Sequence, residues 1–104
     1  MIKIRTQTKT YFVKEENILY CKANGRYTII KLSDIEITYA KNLLEVESKL
    51  SNKNFFRIHN SHTVNVEFIK EYSHRTFEVI LTDNTKLKIS KRKLSNFNKF
   101  ITKN

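Results

Sequence analysis

The stretch Phe55–Val66, FFRIHNSHTVNV, decides the fold, because it interleaves apolar anchors with side chains that form hydrogen bonds. The residues suited to anchor a pair of strands in a hydrophobic core are Phe55, Phe56, Ile58, Val64 and Val66. The polar side chains between those anchors are Arg57, His59, Asn60, Ser61 and Asn65. The stretch therefore predicts a rigid strand pair that holds a polar tip at His59–His62.

The size and charge of the chain narrow the class of protein. At 104 residues the chain fits a single domain spanning residues 1–104, because folding at this size buries roughly two thirds of the unfolded chain's surface. The formal net charge is +10, from 20 basic and 10 acidic residues. Such an excess favours a polyanionic partner, which is nucleic acid, an acidic membrane face or an acidic protein. Charge alone does not choose among the three.

Cysteine usage and the length of apolar runs indicate the location of the protein. Cys21 is the one cysteine and cannot form an internal disulfide, which favours a reducing cytoplasm over a secreted setting. The N-terminal residues contain no apolar run long enough for a signal peptide, and no segment approaches the roughly 20 apolar residues of a membrane span. We therefore predict a cytoplasmic domain with no membrane partner.

Short strands separated by polar turns account for most of the chain. Alternation and β-branched or aromatic content predict strands at Ile2–Arg5, Tyr11–Lys14, Ile18–Lys22, Arg26–Leu32, Ile35–Tyr39, Phe55–Ile58, Val64–Tyr72, Thr76–Thr82 and Lys86–Ser90. A hairpin reversal is expected at Ala23–Gly25, because asparagine and glycine accept positive φ. Phe77 is expected on the buried face of its strand, together with Val79 and Leu81.

Two short helices complete the expected fold. Asn42 and Glu45 have the spacing of a capping box at the start of the first helix, which is expected to end near Ser51–Asn52. Its buried face is predicted to carry Leu43, Val46 and Leu50. The closing helix has a predicted N-cap at Ser90 and an apolar stripe of Leu94, Phe97 and Ile101. The result is a mainly β fold of about eight or nine short, mostly antiparallel strands with two short helices.

The segment Ser90–Lys93, SKRK, places three consecutive cations at the start of the closing helix. A helix N-terminus carries partial positive charge, so cations there lower stability unless an anion lies nearby. No carboxylate follows Asp83 in the sequence to supply that anion. A phosphate group is therefore the expected partner, and the alternative is a basic terminus that is only solvated.

Two further loops combine basic and amide side chains. Asn60 carries the donor and acceptor that fit an adenine edge, and His59 is expected either to hold a phosphate or to be a buried, hydrogen-bonded imidazole. Arg57 is expected to hold a phosphate or to brace the turn. In KANGRY, Lys22–Tyr27, Arg26 leaves a tight turn from which its guanidinium can reach a guanine edge or a phosphate. The alternative for both loops is an ordinary turn with solvated polar residues.

Neither a catalytic centre nor a metal centre is predicted. His59, His62, His74 and Cys21 lack the close spacing of ligands in structural metal sites. Ser61 has no flanking glycines and no carboxylate placed to orient a histidine base, so the pattern of a hydrolase nucleophile is missing. We therefore expect no enzymatic activity, no metal and no cofactor.

Three segments, in order, resemble the LytTR-type DNA-binding domain, the output module of many bacterial response regulators. They are FFRIHNSHTVNV itself, NLLEVESKL at Asn42–Leu50 and DNTKLKISKRKL at Asp83–Leu94. The resemblance implies a mainly β, sequence-specific binder of double-stranded DNA in a two-component system, with loops entering successive major grooves. The chain departs from the family pattern at Asn60, where another basic residue is frequent, and at Asn84, where glycine often makes the turn.

The resemblance and the residue chemistry together suggest which residues contact DNA. Base contacts are expected from Arg26, Asn60 and Arg92. Contacts to the DNA backbone are expected from Lys22, Asn24, His59, Ser61, Ser90, Lys91 and Lys93. Family members usually recognise paired repeats and commonly join this module to a receiver domain, which we expect outside these residues. The alternative function is a basic RNA, single-strand or protein-interaction module without base readout.

Overall fold

A computed structural model describes residues 1–51 and 53–102, in which short antiparallel strands predominate. The strands in these ranges are β1 (Ile2–Arg5), β2 (Thr10–Val13), β3 (Ile18–Asn24), β4 (Tyr27–Leu32), β5 (Glu36–Tyr39), β6 (Phe55–His59), β7 (His62–Asn65), β8 (Ile69–Ser73), β9 (Glu78–Leu81) and β10 (Lys86–Lys88). The helices are α1 (Leu43–Glu47) and α2 (Leu94–Thr102), and short 3-10 segments lie at Glu15–Asn17, Val66–Phe68 and Lys91–Lys93. The predicted mainly β fold with two short helices is confirmed.

A five-stranded sheet in the order β5-β4-β3-β7-β6 forms the centre of the fold. β3 and β4 form a hairpin in which Asn24 pairs with Tyr27. On its other side β3 pairs with β7, and Lys22 lies opposite His62. The β3–β4 and β6–β7 connections therefore lie at the same end of this sheet. A β1–β2 hairpin and a three-stranded β10-β9-β8 sheet flank this centre in the chain.

The reversal between β3 and β4 uses the two residues Gly25 and Arg26. Gly25 has a φ of 62°, a conformation that residues with a Cβ adopt only with strain. The turn expected at Ala23–Gly25 is therefore shifted, because Ala23 and Asn24 still pair with β4. In this turn only Gly25 has a positive φ, so β3 continues as far as Asn24.

Two hydrophobic clusters stabilise the sheets. The first cluster draws its buried residues from β1 to β6 and α1, and includes Ile4, Cys21, Ile30 and Val46. The second cluster draws residues from β3, β6, β7, β9, β10 and α2, and is centred on Phe97. The Phe97 ring is fully buried, and its centroid lies 5.6 Å from that of Phe56 and 5.2 Å from that of Tyr72. Edge-to-face packing of this kind fixes α2 against the sheets.

The predicted strand Val64–Tyr72 is wrong, because a 3-10 turn at Val66–Phe68 interrupts it. Asn65, which is 1% exposed, stabilises the interruption through two hydrogen bonds. Its Nδ2 donates to the carbonyl oxygen of Ile18 at 2.9 Å, and its Oδ1 accepts from the N–H of Glu67 at 3.0 Å. The chain thereby leaves the five-stranded sheet at β7 and enters the three-stranded sheet at β8, which adds a strand to the expected number.

Phe77 and Ile35 do not take the strand positions expected for them. Phe77 has a φ of 57° and lies half-buried in the turn before β9, where its N–H donates to the carbonyl oxygen of Ser73 at 2.9 Å. Ile35 precedes β5 and is 40% exposed. The expected turn around Asn84 is confirmed, and Asn84 has the φ of 71° that asparagine accepts more readily than most residues.

Helix α1 begins as expected but is shorter. Asn42 Oδ1 accepts from the N–H of Glu45 at 2.8 Å, and Glu45 Oε1 accepts from the N–H of Asn42 at 3.2 Å, which confirms the capping box. The helix ends at Glu47 and not near Ser51–Asn52, and Asn52 lies outside the described residues. In the described ranges no helix is long and apolar enough to cross a membrane.

Replacing Asn65 by Ala leaves the Ile18 carbonyl and the Glu67 N–H without their partners. We expect the free energy of unfolding to fall by about 1–4 kcal/mol, because the buried Ile18 carbonyl left unsatisfied costs about 1–3 kcal/mol and the less buried Glu67 N–H costs less. Urea unfolding at neutral pH measures the change. The matched control is Asn17→Ala, since Asn17 is exposed and its loss should cost less than about 0.5 kcal/mol. Equal losses in the two variants would contradict the role of Asn65.

Candidate nucleic-acid interface

Three polar connections lie next to one another at one end of the central sheet. We name them the hairpin loop (Gly25–Arg26), the central tip (His59–Ser61) and the basic turn (Ser90–Lys93). The N–H of Ala23 donates to the carbonyl oxygen of Ser61 at 2.9 Å, which joins the β3–β4 hairpin to the central tip. The N–H of Ser90 donates to the carbonyl oxygen of Ile58 at 2.8 Å, which joins the basic turn to β6. Backbone hydrogen bonds thus position the three connections relative to one another.

Arg57 braces the central tip from within β6. Its Nε donates to the carbonyl oxygen of His59 at 3.0 Å, and its Nη2 donates to that of Asn60 at 2.6 Å. Its Nη1 donates to Glu47 Oε1 of α1 at 2.8 Å. The other Glu47 oxygen accepts a short hydrogen bond from the hydroxyl of Thr63. Of the two roles expected for Arg57, the structure therefore shows the brace.

Two of the predicted base-contacting residues are in direct contact. Arg92 Nη2 donates to Asn60 Oδ1 at 2.9 Å. The two residues are 32 positions apart in the chain, and both are exposed. The basic turn and the central tip therefore present one continuous polar surface.

The β3–β4 hairpin contributes polar side chains that have no internal partner. Arg26, Lys22 and Asn24 are all exposed. Within residues 1–51 and 53–102, their side chains form no hydrogen bond or ion pair. Arg26 is therefore joined to Asn60 and Arg92 through the backbone bond of Ala23 and not through its own side chain.

The basic turn differs from the expected helix start. The predicted side-chain cap at Ser90 is wrong, because residues Lys91–Lys93 form a 3-10 turn and α2 begins at Leu94. The turn is closed by the N–H of Lys93, which donates to the carbonyl oxygen of Ser90 at 2.9 Å. The Ser90 hydroxyl is buried and has no hydrogen-bond partner in the described part of the chain. A phosphate contact through Ser90 thus remains a prediction that requires this hydroxyl to become exposed.

Two histidines lie at the central tip: His59 is its first residue, and His62 directly follows it. His59 Nδ1 accepts from the N–H of Ser61 at 3.1 Å. The ring therefore forms the internal hydrogen bond that was expected as the alternative to a phosphate contact. The centroid of the His62 ring lies 5.7 Å from that of His59. Burial, with the nearby charges of His59 and Lys22, lowers the pKa of His62 from 6.5 to about 4. His62 is therefore neutral at physiological pH.

Positive charge at this end of the sheet is largely uncompensated. Among the described residues, the one ion pair joins Arg57 to Glu47, whose side chains are 30% and 21% exposed. The cations of the hairpin loop and the basic turn have no carboxylate partner within those residues. A surface of this kind attracts anions and raises their local concentration.

Cys21 and the acidic residues do not form a reactive centre. Cys21 is fully buried, and burial raises the pKa of its thiol to about 12, so the reactive thiolate is scarcely populated. No group of three His, Cys, Asp or Glu side chains in the described ranges is arranged to hold a metal ion. The polar loops therefore remain the candidate functional surface.

A β fold that presents cations and amides on adjacent loops defines a class of nucleic-acid-binding domain. The family that matches, over residues 8–102, is LytTR, described as the LytTr DNA-binding domain. The chain belongs to this family, whose domains bind DNA in regulators of transcription.

Two similar proteins are bacterial regulators. It is 30% identical over 82 residues to the sensory transduction protein LytT of Bacillus subtilis (strain 168), covering 76% of this chain and 34% of that protein. It is 25% identical over 99 residues to the transcriptional regulatory protein LytR of Staphylococcus aureus (strain N315), covering 92% and 40% respectively. The chain thus spans less than half of either relative.

A solved structure shares the fold. It is the LytTr DNA-binding domain of a putative methyl-accepting/DNA response regulator from Bacillus cereus, with a TM-score of 0.83 and 26% sequence identity. The match covers 96% of this chain and 94% of that one. The arrangement of strands and helices described above is therefore that of the family.

The residues Glu47 and His62 were not among the predicted site residues. Nothing in their immediate sequence identifies them, because Glu47 contacts Arg57 across ten positions and His62 gains its properties from burial. The one sequence signal for this contact is that the acidic helix α1, which contains Glu47, is followed by strand β6, which contains Arg57.

Replacing Glu47 by Ala removes both the ion pair of Arg57 and the acceptor of the Thr63 hydroxyl. We expect the free energy of unfolding to fall by about 1–3 kcal/mol, because charged hydrogen bonds in partly buried positions are lost. Urea unfolding measures the loss. Glu67→Ala is the matched control, since Glu67 is exposed and its carboxylate forms no hydrogen bond within the described ranges. A loss no greater than that of the control would show that the brace does not stabilise the fold.

The pKa of His62 predicts a loss of stability in acid. The folded ring stays neutral until about pH 4, whereas the unfolded ring takes up a proton near its ordinary pKa of 6.5. The contribution of His62 is therefore complete above pH 6.5 and is lost as the pH falls towards 4. Urea unfolding of the wild type and of His62→Gln at several pH values measures this. We expect the wild type to lose about 2 kcal/mol more than the variant between neutral pH and pH ~4.5. Parallel pH profiles would contradict the burial of a neutral ring.

Proposed function

We propose that this domain recognises specific sequences of double-stranded DNA and serves as the DNA-binding part of a LytTR-type response regulator. In this proposal the three connections enter successive major grooves. Arg26, Asn60 and Arg92 read bases. Lys22, Asn24, His59, Ser61, Ser90, Lys91 and Lys93 contact the DNA backbone. The observation that carries the proposal is the convergence of exposed, unpaired cations with the Asn60–Arg92 pair at one end of the sheet.

The packing of the helices supports readout by loops. Phe97 of α2 is fully buried, and the turn of chain before α2 is held to β6 by the Ser90–Ile58 bond. Helix α1 has five residues and buries Leu43 and Val46 in the first cluster. Both helices are thus committed to the core through their apolar faces. The loops carry the side chains that match base edges, since arginine and asparagine form the specific contacts of the major groove.

The distribution of charge supports separate roles for lysines and arginines. Lysine contacts to phosphate set orientation and salt dependence but carry little sequence information. Arginine has a planar fork that matches guanine or phosphate with two hydrogen bonds. Lys91 is adjacent to Arg92 in the basic turn, and Lys22 lies in the same hairpin as Arg26, opposite Ile29. Each arginine therefore has a lysine in its own connection or hairpin that can hold a phosphate.

The wider context is part of the same proposal. The relatives LytT and LytR are more than twice as long as the matched region, which supports a receiver or other signalling partner outside these residues. Two copies of the domain on paired repeats are the expected assembly on DNA. The role is binding in the cytoplasm and not catalysis, and the buried, unreactive thiol of Cys21 is compatible with it.

Selection from a randomised duplex pool tests the proposal directly. The enriched duplex and a shuffled duplex are then titrated at physiological salt. We expect the enriched duplex to bind about 10³-fold more tightly, as specific binders of DNA typically do. Equal, weak and steeply salt-dependent binding to both would refute sequence-specific recognition and favour a generic basic module.

Variants distinguish the proposed base contacts from the phosphate contacts. Arg26→Ala should weaken binding to the enriched duplex by about 5- to 150-fold, equivalent to about 1–3 kcal/mol, and relax one position of the site. Lys91→Ala should weaken binding to both duplexes alike and reduce the salt slope by about one. Lys14→Ala is the control, because Lys14 is exposed beside the start of β3, at the end opposite Lys22. Unchanged affinity and preference in Arg26→Ala would remove that residue from the interface.

A further inference from the structure

The central tip has all its backbone acceptors occupied by donors of the protein itself. The carbonyl oxygen of His59 accepts from Arg57 Nε at 3.0 Å, and that of Asn60 accepts from Arg57 Nη2 at 2.6 Å. The carbonyl oxygen of Ser61 accepts from the N–H of Ala23 at 2.9 Å. The backbone of the tip therefore offers DNA no carbonyl group that is free of a partner.

The side chains of the tip have their acceptors occupied as well. Asn60 faces Arg92 through Oδ1, and this orientation of the amide is required because a guanidinium has only donors. His59 Nδ1 accepts from the N–H of Ser61, which leaves Nε2 as the ring nitrogen that can donate to a ligand. The hydroxyl of Ser61 is the remaining side-chain group, and it can either donate or accept.

Apart from the Ser61 hydroxyl, the side-chain groups that remain for an external ligand are donors. They are the Nδ2 amino group of Asn60, the Nε2–H of His59 and the guanidinium hydrogens of Arg92 that do not bond Asn60. Lys91 is exposed beside them and adds another donor. In hydrogen-bonding terms the surface is therefore one-sided.

We propose that Asn60 and Arg92 act as one recognition unit that presents only donors, and that this unit selects guanine. The inference rests on the proposed function and makes it specific. In the major groove, guanine presents two acceptors, O6 and N7, whereas adenine and cytosine present an amino donor and thymine pairs a single acceptor with a methyl group. A surface made of donors matches guanine best.

The contact between the two side chains also explains why adenine is disfavoured. A bidentate contact of asparagine with adenine requires Oδ1 to accept from the adenine amino group. That oxygen already accepts from the cation of Arg92 at 2.9 Å. An amino group approaching its second lone pair would meet the guanidinium, and donors that converge in this way repel each other. The guanine preference thus differs from the adenine contact expected for an isolated asparagine.

The separation of the two side chains fixes how far apart their bases lie. The bonded atoms are 2.9 Å apart, which is less than the rise of about 3.4 Å between stacked bases. Asn60 and Arg92 therefore read the same base pair or two adjacent ones. Two independent contacts on separate loops would carry no such restriction.

Site selection with variants tests the unit. Binding sites are selected in parallel with the wild type, Asn60→Ala and Arg92→Ala, and the position that loses its preference in Asn60→Ala is the Asn60 position. We expect guanine there in the wild-type site, and we expect Arg92→Ala to relax that base pair or its neighbour. Replacing this guanine by 7-deazaguanine, which lacks the N7 acceptor, should weaken binding of the wild type by about 5- to 150-fold.

The variant Asn60→Asp isolates the donor. Aspartate keeps an oxygen for Arg92 but has no amino group, so we expect the preference at the Asn60 position to move away from guanine. Asn17→Asp adds the same negative charge at the opposite end of β3, in an exposed position, and should leave the selected site unchanged. A retained guanine preference in Asn60→Asp would overturn the proposal.

The remaining outcomes separate the inference from the function on which it rests. Any base other than guanine at the Asn60 position, no relaxation in Asn60→Ala, or an Arg92 position more than one base pair away would overturn the recognition unit and leave sequence-specific binding intact. Failure of the wild type to enrich any site would overturn the proposed function and the recognition unit with it.

Discussion

The guanidinium of Arg57 is the interaction on which the polar end of the molecule depends. One side chain bonds the carboxylate of Glu47 in α1 and the carbonyl oxygens of His59 and Asn60 in the central tip. The planar guanidinium serves these three acceptors from a rigid fork of five donors, a geometry that the compact ammonium of a lysine lacks. A helix packed in the first hydrophobic cluster thereby determines the backbone of a surface loop. Rigidity at the tip matters because contacts to base edges require side chains that are positioned before binding.

The fold could be predicted from the sequence where local signals determine it. Alternation predicted β6, and the spacing of Asn42 and Glu45 predicted the cap of α1. The sequence did not reveal the break in Val64–Tyr72, because apolar alternation continues through it. The break depends on the bond from Asn65 to the carbonyl oxygen of Ile18, a residue 47 positions away. Polar contacts over such distances leave no local pattern, and neither does the burial of a hydroxyl such as that of Ser90.

In the candidate site, too, the type of each residue could be read from the sequence, but its contacts with distant residues could not. Residue chemistry suggested Asn60 as a base contact and the family resemblance suggested Arg92, but the hydrogen bond between them occupies an acceptor position of the Asn60 amide. Residue type predicted a group that both donates and accepts, and the fold uses up the accepting half. Glu47 escaped notice for the related reason that its importance comes from its partner and not from its own neighbourhood in the chain. Residue chemistry and the family resemblance therefore suggested the surface, and the tertiary contacts determine which of its hydrogen-bonding groups are free.

The two hydrophobic clusters have a mechanical consequence for this surface. The hairpin loop extends from strands of the first cluster, whereas the basic turn follows Ile89 and precedes Leu94, which belong to or pack on the second. The two clusters are not independent, because strands β3 and β6 contribute buried residues to both of them. A ligand that binds the folded protein and not the unfolded chain stabilises the folded state. A duplex that contacts both loops would therefore stabilise the two clusters together and would oppose the separation of either cluster from the strands that they share.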